Sequence, residues 1–118
     1  MQNKQYKNIL SDLEAEVDIE QSFIISRDGL LISAEACSGT SPEAMAAMTA
    51  TLLGAAETAM DEIGSGVPSH VMVDTKKYSL IVMGAGPQAL LAVVTGEDDF
   101  TKVREAMKKA ARAIDEIL

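Results

Sequence analysis

Apolar residues recur at helical spacing near both ends of the chain. Over residues 4–17 they stand three and four positions apart, between charged side chains, which predicts an amphipathic first helix. The same spacing returns from Phe100 onward and predicts a last helix. The two apolar stripes are Tyr6, Ile9, Leu10, Leu13 and Val17 in the first helix, and Phe100, Val103, Met107, Ala110, Ile114 and Ile117 in the last.

Between these helices, short apolar runs bounded by turn residues predict five strands. The runs "DIEQSFIIS" and "LLISAEA" flank Asp28 and Gly29. Asp-Gly between apolar runs favours a hairpin with a two-residue turn, because glycine takes positive φ freely and aspartate tolerates it. Three later runs, "SHVMVDT", "YSLIVMG" and "ALLAVVT", are separated by a Lys-Lys turn and by the turn "AGPQ", and they predict a meander.

A long helix is predicted from Pro42 to Ile63. Ser41 is a natural N-cap, proline is favoured at the first helical position, and Gly64 is a typical stop. At ~100° per residue, one apolar face is expected to lie on the sheet: Met45, Met48, Leu52, Ala56, Ala59 and Ile63.

The opposite face of this helix is made of small residues where an exposed helix usually carries charges: Ala47, Ala50, Thr51, Gly54 and Thr58. Small side chains let another backbone come close, so this face predicts an interface, most simply with a second copy about a two-fold axis. The alternative is an alanine-rich helix selected for helix propensity alone.

The predicted order is α-β-β-α-β-β-β-α, without repeats or linkers. Connections are too short for parallel crossovers except across the long helix, so the five-stranded sheet should be largely antiparallel, with helices on both faces. The sequence therefore predicts one α+β domain over residues 1–118.

Composition narrows the possible functions. A net charge of −8 and a pI near 4.5 argue against nucleic-acid binding, which needs a basic face, and favour neutral or basic partners. No apolar run approaches the ~20 residues of a membrane span, so no membrane insertion is expected. One cysteine forms no disulfide framework, and we expect a cytoplasmic protein.

The residues that could carry chemistry are isolated in the sequence. His70 is the only histidine, and Cys37 has no base beside it in sequence. Glu97, Asp98 and Asp99 stand at a helix start, where carboxylates favour the helix dipole. The Gly-x-Gly of "GAGP" precedes a strand instead of a helix, so it predicts a turn and not a phosphate site. We expect no catalytic residue, metal, cofactor or enzymatic activity.

The opening helix, the hairpin carrying Ser26-Arg27-Asp28-Gly29, the small-residue helix, the meander and the closing helix together resemble the Roadblock (dynein light chain) family. The resemblance implies one long helix on one sheet face and the terminal helices on the other, as in profilin. It also implies a homodimer with paired long helices and joined edge strands, which regulates or scaffolds a small Ras-like GTPase. No arginine stands out as an obvious arginine finger, so any stimulation of hydrolysis is expected to act by ordering the GTPase's own switch loops, and Arg27, beside the Asp-Gly turn, is the one candidate to test.

In such a dimer, the flank of the long helix is expected to bind the GTPase through an apolar centre with an acidic rim. These residues are Ala46, Leu53 and Met60, with Glu57 and Asp61. The resemblance leaves activation, exchange and tethering open, and a heterodimer as well. The alternative function is a small-molecule sensor of profilin-like architecture.

Overall fold

The computed structural model describes residues 2–35 and 39–118. Its elements are α1 (Gln2–Glu16), β1 (Ile19–Ser26), β2 (Leu31–Glu35), α2 (Pro42–Glu62), β3 (Val71–Asp74), β4 (Ser79–Gly84), β5 (Ala89–Thr95) and α3 (Phe100–Ile117). The five strands form one antiparallel sheet in the order β2-β1-β5-β4-β3. Helix α2 covers one face, and α1 and α3 cover the other. The α+β architecture predicted from the sequence is therefore confirmed.

The two amphipathic helices bury the predicted stripes. Tyr6, Leu10 and Leu13 of α1 are buried, as are Val103, Met107 and Ile114 of α3. These side chains join one core cluster with the sheet residues that point toward α1 and α3, among them Ile24, Ile81, Leu91 and Val93.

A second core cluster lies beneath α2. It contains Phe23 and Ile25 of β1, which alternate with Ile24 on the opposite face. Strand β5 and the Phe23–Ile25 segment of β1 are buried on both faces, and this explains why these stretches are apolar without alternation. The remaining members of this cluster are Ala46, Leu53, Val82, Leu90 and Ala92.

The predicted sheet-facing side of α2 is correct only in part, since Met45 and Leu52 pack against the core cluster beneath the helix but Met48 and Ile63 are exposed. The residues that α2 buries are Ala46, Thr49 and Leu53, whereas Met48 is 59% exposed and Ile63, the C-cap, is 70% exposed. Almost every position of α2 is apolar or small, so the hydrophobic period cannot select one face. Thr49 can be buried because its hydroxyl donates to the Met45 carbonyl at 2.7 Å.

The β1–β2 turn is one residue longer than predicted. The Ser26 amide donates to the Leu30 carbonyl at 2.8 Å, which encloses Arg27, Asp28 and Gly29. Gly29 has φ +89°, the conformation that a three-residue hairpin loop requires at its last position. The Ser26 hydroxyl, followed by the backbone of Asp28 itself, lowers the pKa of the exposed Asp28 carboxyl group.

The predicted helix starts are confirmed by their caps. The Ser41 hydroxyl accepts from the Ala44 amide at 3.3 Å, with Pro42 at the first helical position. The Asp99 carboxylate accepts from the Lys102 amide at 3.1 Å and caps α3. Asp99 thus has the capping role that the sequence indicates.

Candidate functional site

The predicted dimer residues lie along one flank of α2, and Ala50 among them also packs against the core cluster beneath the helix. Ala47, Thr51 and Thr58 are exposed, and Ala50 and Gly54 are half-buried. The hydroxyls of Thr51 and Thr58 donate to carbonyls of their own helix, at 2.8 and 3.0 Å, so their polar groups are already satisfied. This flank therefore offers small, largely apolar contacts to a neighbour.

Gly54 leaves an open position on this flank. A Cβ atom placed there meets no other heavy atom within 4 Å. Nearer the start of α2 the flank is bounded by the hairpin turn, since a Cβ on Gly29 lies 3.5 Å from the Ala47 Cα and 3.8 Å from the Ala50 Cβ. The two ends of the flank thus differ. The hairpin turn limits access to the end near Ala47, whereas the end near Gly54 is open to a partner.

Exposed apolar residues gather on α2 and on the chain that follows it. Five of the seven large apolar residues that are exposed in the described part of the chain belong to this segment: Met48, Ile63, Val67, Met72 and Val73. The last two lie on β3, which has only β4 as a hydrogen-bonded neighbour in the sheet. An edge strand presents unpaired backbone donors and acceptors, so this side of the molecule is suited to association.

Two of the predicted partner-binding residues are not accessible. Ala46 and Leu53 belong to the core cluster beneath α2 and therefore pack on the sheet, where no partner can reach them. The other three, Glu57, Met60 and Asp61, keep exposed surface, with Asp61 the most open. This correction follows from the rotation of α2 relative to the predicted faces.

Arg27 is engaged inside the molecule. Its Nη1 lies 2.9 Å from Glu57 Oε2, and its Nη2 donates to the Gly86 carbonyl at 3.0 Å. The Arg27 Nε is buried and has no hydrogen-bond partner. The group of Arg27, Glu57 and Gly86, called here the Arg27 clamp, ties α2 to two turns at one end of the sheet. A guanidinium held in this way is not poised as an arginine finger.

The glycines of the β4–β5 turn make the Arg27 clamp possible. A Cβ on Gly84 would lie 2.7 Å from Arg27 Nη2, so a larger residue would displace the guanidinium. Gly86 has φ +85°, and the Asp115 carboxylate of α3 occupies the space where its Cβ would stand. The prediction that "GAGP" forms a turn is confirmed. Its glycines also accommodate side chains from both faces of the sheet, which the sequence pattern did not indicate.

Among the polar residues that could carry chemistry, His70 makes ordinary packing and hydrogen-bond contacts. His70 is half-buried, with Nδ1 3.0 Å from the Ser69 hydroxyl and its ring 5.0 Å from that of Phe100. Cys37 lies outside the described residues. Within residues 2–35 and 39–118, no group of three or more His, Cys, Asp or Glu side chains is placed to hold a metal ion.

None of the helices in the described ranges is long and apolar enough to cross a membrane.

Comparison with known proteins gives matches over most of the chain. The sequence matches the family described as Roadblock/LC7 domain over residues 6–95. It is 27% identical over 106 residues to the uncharacterized protein MJ1340 of Methanocaldococcus jannaschii, covering 90% of this chain and 93% of that protein.

Two solved structures have the same fold. Myxococcus xanthus MglB superposes with a TM-score of 0.90 at 21% identity, covering 97% of this chain and 87% of that one. A Roadblock/LC7 domain from Streptomyces avermitilis gives a TM-score of 0.86 at 25% identity, covering 92% and 93%.

Proposed function

Because the chain belongs to the Roadblock/LC7 family, we propose that it is a non-enzymatic, cytoplasmic interaction module that forms a homodimer and binds a small Ras-like GTPase. The family assignment confirms the resemblance drawn from the sequence and supports a regulatory or scaffolding role. The observation that carries the proposal is the unpartnered surface made by the outer side of α2 and the β3 edge.

Self-association is supported by the character of this surface. It combines the small-residue flank of α2 with exposed Met48 and with the apolar edge strand. A two-fold axis beside α2 and β3 would bring each of these features against its own copy, as an isologous interface requires. Pairing of the two β3 edges would also satisfy the backbone groups that the single chain leaves open.

The GTPase contact is proposed to include the reachable part of the predicted partner surface. Asp61 gives this part negative charge, Glu57 is paired with Arg27, and Met60 beside them adds an adaptable apolar side chain. A basic partner would associate faster with such a surface at low salt. Because Arg27 is held by Glu57 and Gly86, we propose that the module acts by placing or ordering the GTPase's own loops, without an arginine finger.

Gly54→Arg tests the homodimer, with Gly54→Ala as the matched control. The single chain has room for a side chain at this position, and arginine is favoured over glycine in a helix by about 0.7–1 kcal/mol. Neither variant should therefore destabilise the monomer. We expect Gly54→Arg to be monomeric by light scattering at micromolar concentration, and Gly54→Ala to remain dimeric like the wild-type protein.

Met48→Glu is the companion variant, because Met48 lies on the other side of the exposed surface of α2. If Met48→Glu dissociates the dimer and Gly54→Arg does not, the interface residues predicted on the small-residue flank are wrong. A monomeric wild-type protein would refute the homodimer itself.

GTPase binding is tested with the wild-type protein and with the control variant Gly54→Ala. A small GTPase captured by the wild-type protein from native lysate should bind Gly54→Ala equally well, and its affinity should depend on whether GDP or a GTP analogue is loaded. Interferometry with both nucleotide states measures this. Equal affinity for the two states would limit the role to scaffolding, and the absence of any captured GTPase at micromolar protein would contradict the proposed partner.

A further inference from the structure

Helix α3 carries a row of basic residues on the side that faces away from α1. Arg104, Lys108 and Arg112 are spaced four residues apart, so they lie in line along one side of the helix. This row, called here the basic stripe, borders the buried face of α3. It differs from Lys109, which points toward α1 and lies 2.9 Å from Glu16.

The positive charges of the basic stripe form few ion pairs. Within the described ranges, neither Lys108 nor Arg112 has a carboxylate within 4 Å, and Arg104 has only Glu105, at 3.6 Å. The Arg104 Nε is buried without a hydrogen-bond partner. By contrast, the Glu16 carboxylate hydrogen-bonds to Lys109 and raises the pKa of that ammonium group.

A hollow adjoins the stripe. It has a volume of about 320 Å³ and lies between α3 and the end of β4. Lys108 and Arg112 line one wall, and Ser69 contributes a hydroxyl. The Asp115 carboxylate also lines the hollow and packs against Gly86. No cationic side chain of the described residues lies within 4 Å of this carboxylate. The apolar lining consists of Met83, Ala85 and Ala111.

We propose that the basic stripe and this hollow dock a short acidic segment of a protein partner. The stripe is about 12 Å long from Arg104 to Arg112, at 1.5 Å per residue, which equals about four residues of extended peptide. A segment of this length with two or three carboxylates can pair with the three cations, while its apolar side chains enter the hollow.

The charge of the whole protein favours a short segment over a large polyanion. The net charge is −8, so a nucleic acid or an anionic membrane meets a repulsive surface around the stripe. At physiological salt, screening acts over about 8 Å. A short peptide therefore responds mainly to the local positive charge. The site lies on the sheet face opposite α2, so it does not compete with the proposed GTPase contact.

An NMR titration with an end-blocked peptide of sequence Glu-Leu-Glu-Leu-Glu, which places three carboxylates on one side and two apolar side chains on the other when extended, tests the inference on the intact chain. At about 150 mM salt, amide shifts should centre on Ser69, Gly84–Gly86 and residues 104–112. The affinity should fall severalfold when salt rises to about 500 mM, because the contacts are exposed ion pairs. Shifts centred elsewhere, or no saturable binding at millimolar peptide, would overturn the proposal.

Two double variants each remove two positive charges, one from the basic stripe and the other from elsewhere on the surface. The double substitution Lys108→Gln and Arg112→Gln should weaken binding roughly tenfold, because it removes two exposed ion pairs. Lys4→Gln with Lys102→Gln, both exposed and outside the stripe, should change it less than about twofold. Equal weakening by both pairs would show a non-specific charge effect. Binding to phosphatidylserine vesicles without binding to the peptide would assign the stripe to a membrane and overturn the proposal.

Discussion

The Arg27 clamp should be measurable as a coupling free energy between Arg27 and Glu57. The two side chains are 32% and 33% exposed, and their charged atoms are 2.9 Å apart. Fully exposed pairs contribute about 0.2–1 kcal/mol, and hydrogen bonds to charged groups about 1.5–3 kcal/mol. Because solvent reaches about a third of each side chain, we expect a coupling of about 1 kcal/mol, toward the exposed limit.

The two single substitutions should lower the free energy of unfolding by different amounts. Glu57→Gln keeps a side-chain acceptor for Arg27 and should lower the free energy of unfolding by about 1 kcal/mol. Arg27→Gln also removes the donor to the Gly86 carbonyl and should lower it by about 2 kcal/mol. The double variant should be more stable than the two singles predict by addition, by about the coupling energy.

Urea unfolding followed by circular dichroism measures these values. All variants must be compared at one protein concentration, because self-association changes the apparent stability. The matched control is a second cycle between Arg27→Gln and Asp61→Asn, since Asp61 lies one turn further along α2 and does not bond to Arg27. That cycle should be additive within about 0.3–0.5 kcal/mol. If both cycles are additive to this extent, the clamp does not hold α2.

Two further substitutions test the core and the β4–β5 turn. Leu53→Ala should lower the free energy of unfolding by about 2–4 kcal/mol in urea, because this side chain is 1% exposed beneath α2; a change below about 0.5 kcal/mol would place it outside the core. Gly86→Ala should lower the melting temperature through its positive φ and its contact with the Asp115 carboxylate, and adding Asp115→Ala should restore part of the loss; no restoration would mean that backbone strain alone is responsible.

The elements that the sequence predicted well are those with a strong local signal. In helices α1 and α3, apolar residues recur every three or four positions between polar and charged residues, so the periodicity alone identifies the buried side of each helix. Strand β5 is apolar up to Thr95, and Ser41 and Asp99 mark helix starts by their own side-chain oxygens. In each case, the information needed lies within a few residues of the element.

The orientation of α2 required information from the rest of the molecule. Its sequence offers several apolar faces of similar strength, and its buried line contains Thr49, a polar residue that satisfies its own hydroxyl. The Arg27 clamp is equally invisible to local patterns, because Glu57 and Gly86 are 30 and 59 residues from Arg27 in the chain. Only the assembled sheet brings these three residues together.

The clamp also changes how the proposed partner surface can work. Glu57 was predicted as a free acidic group on the rim, but it already neutralises Arg27. A basic residue of a partner that takes Glu57 must release Arg27, and losing about 1 kcal/mol of coupling reduces affinity about fivefold. Asp61 has no such partner among the described residues, so a partner that contacts Asp61 and Met60 avoids this loss. A partner is therefore expected to bind more favourably at the exposed end of α2, through Asp61 and Met60. If a bound partner also contacts Glu57, it weakens the ion pair with Arg27 that attaches α2 to the sheet.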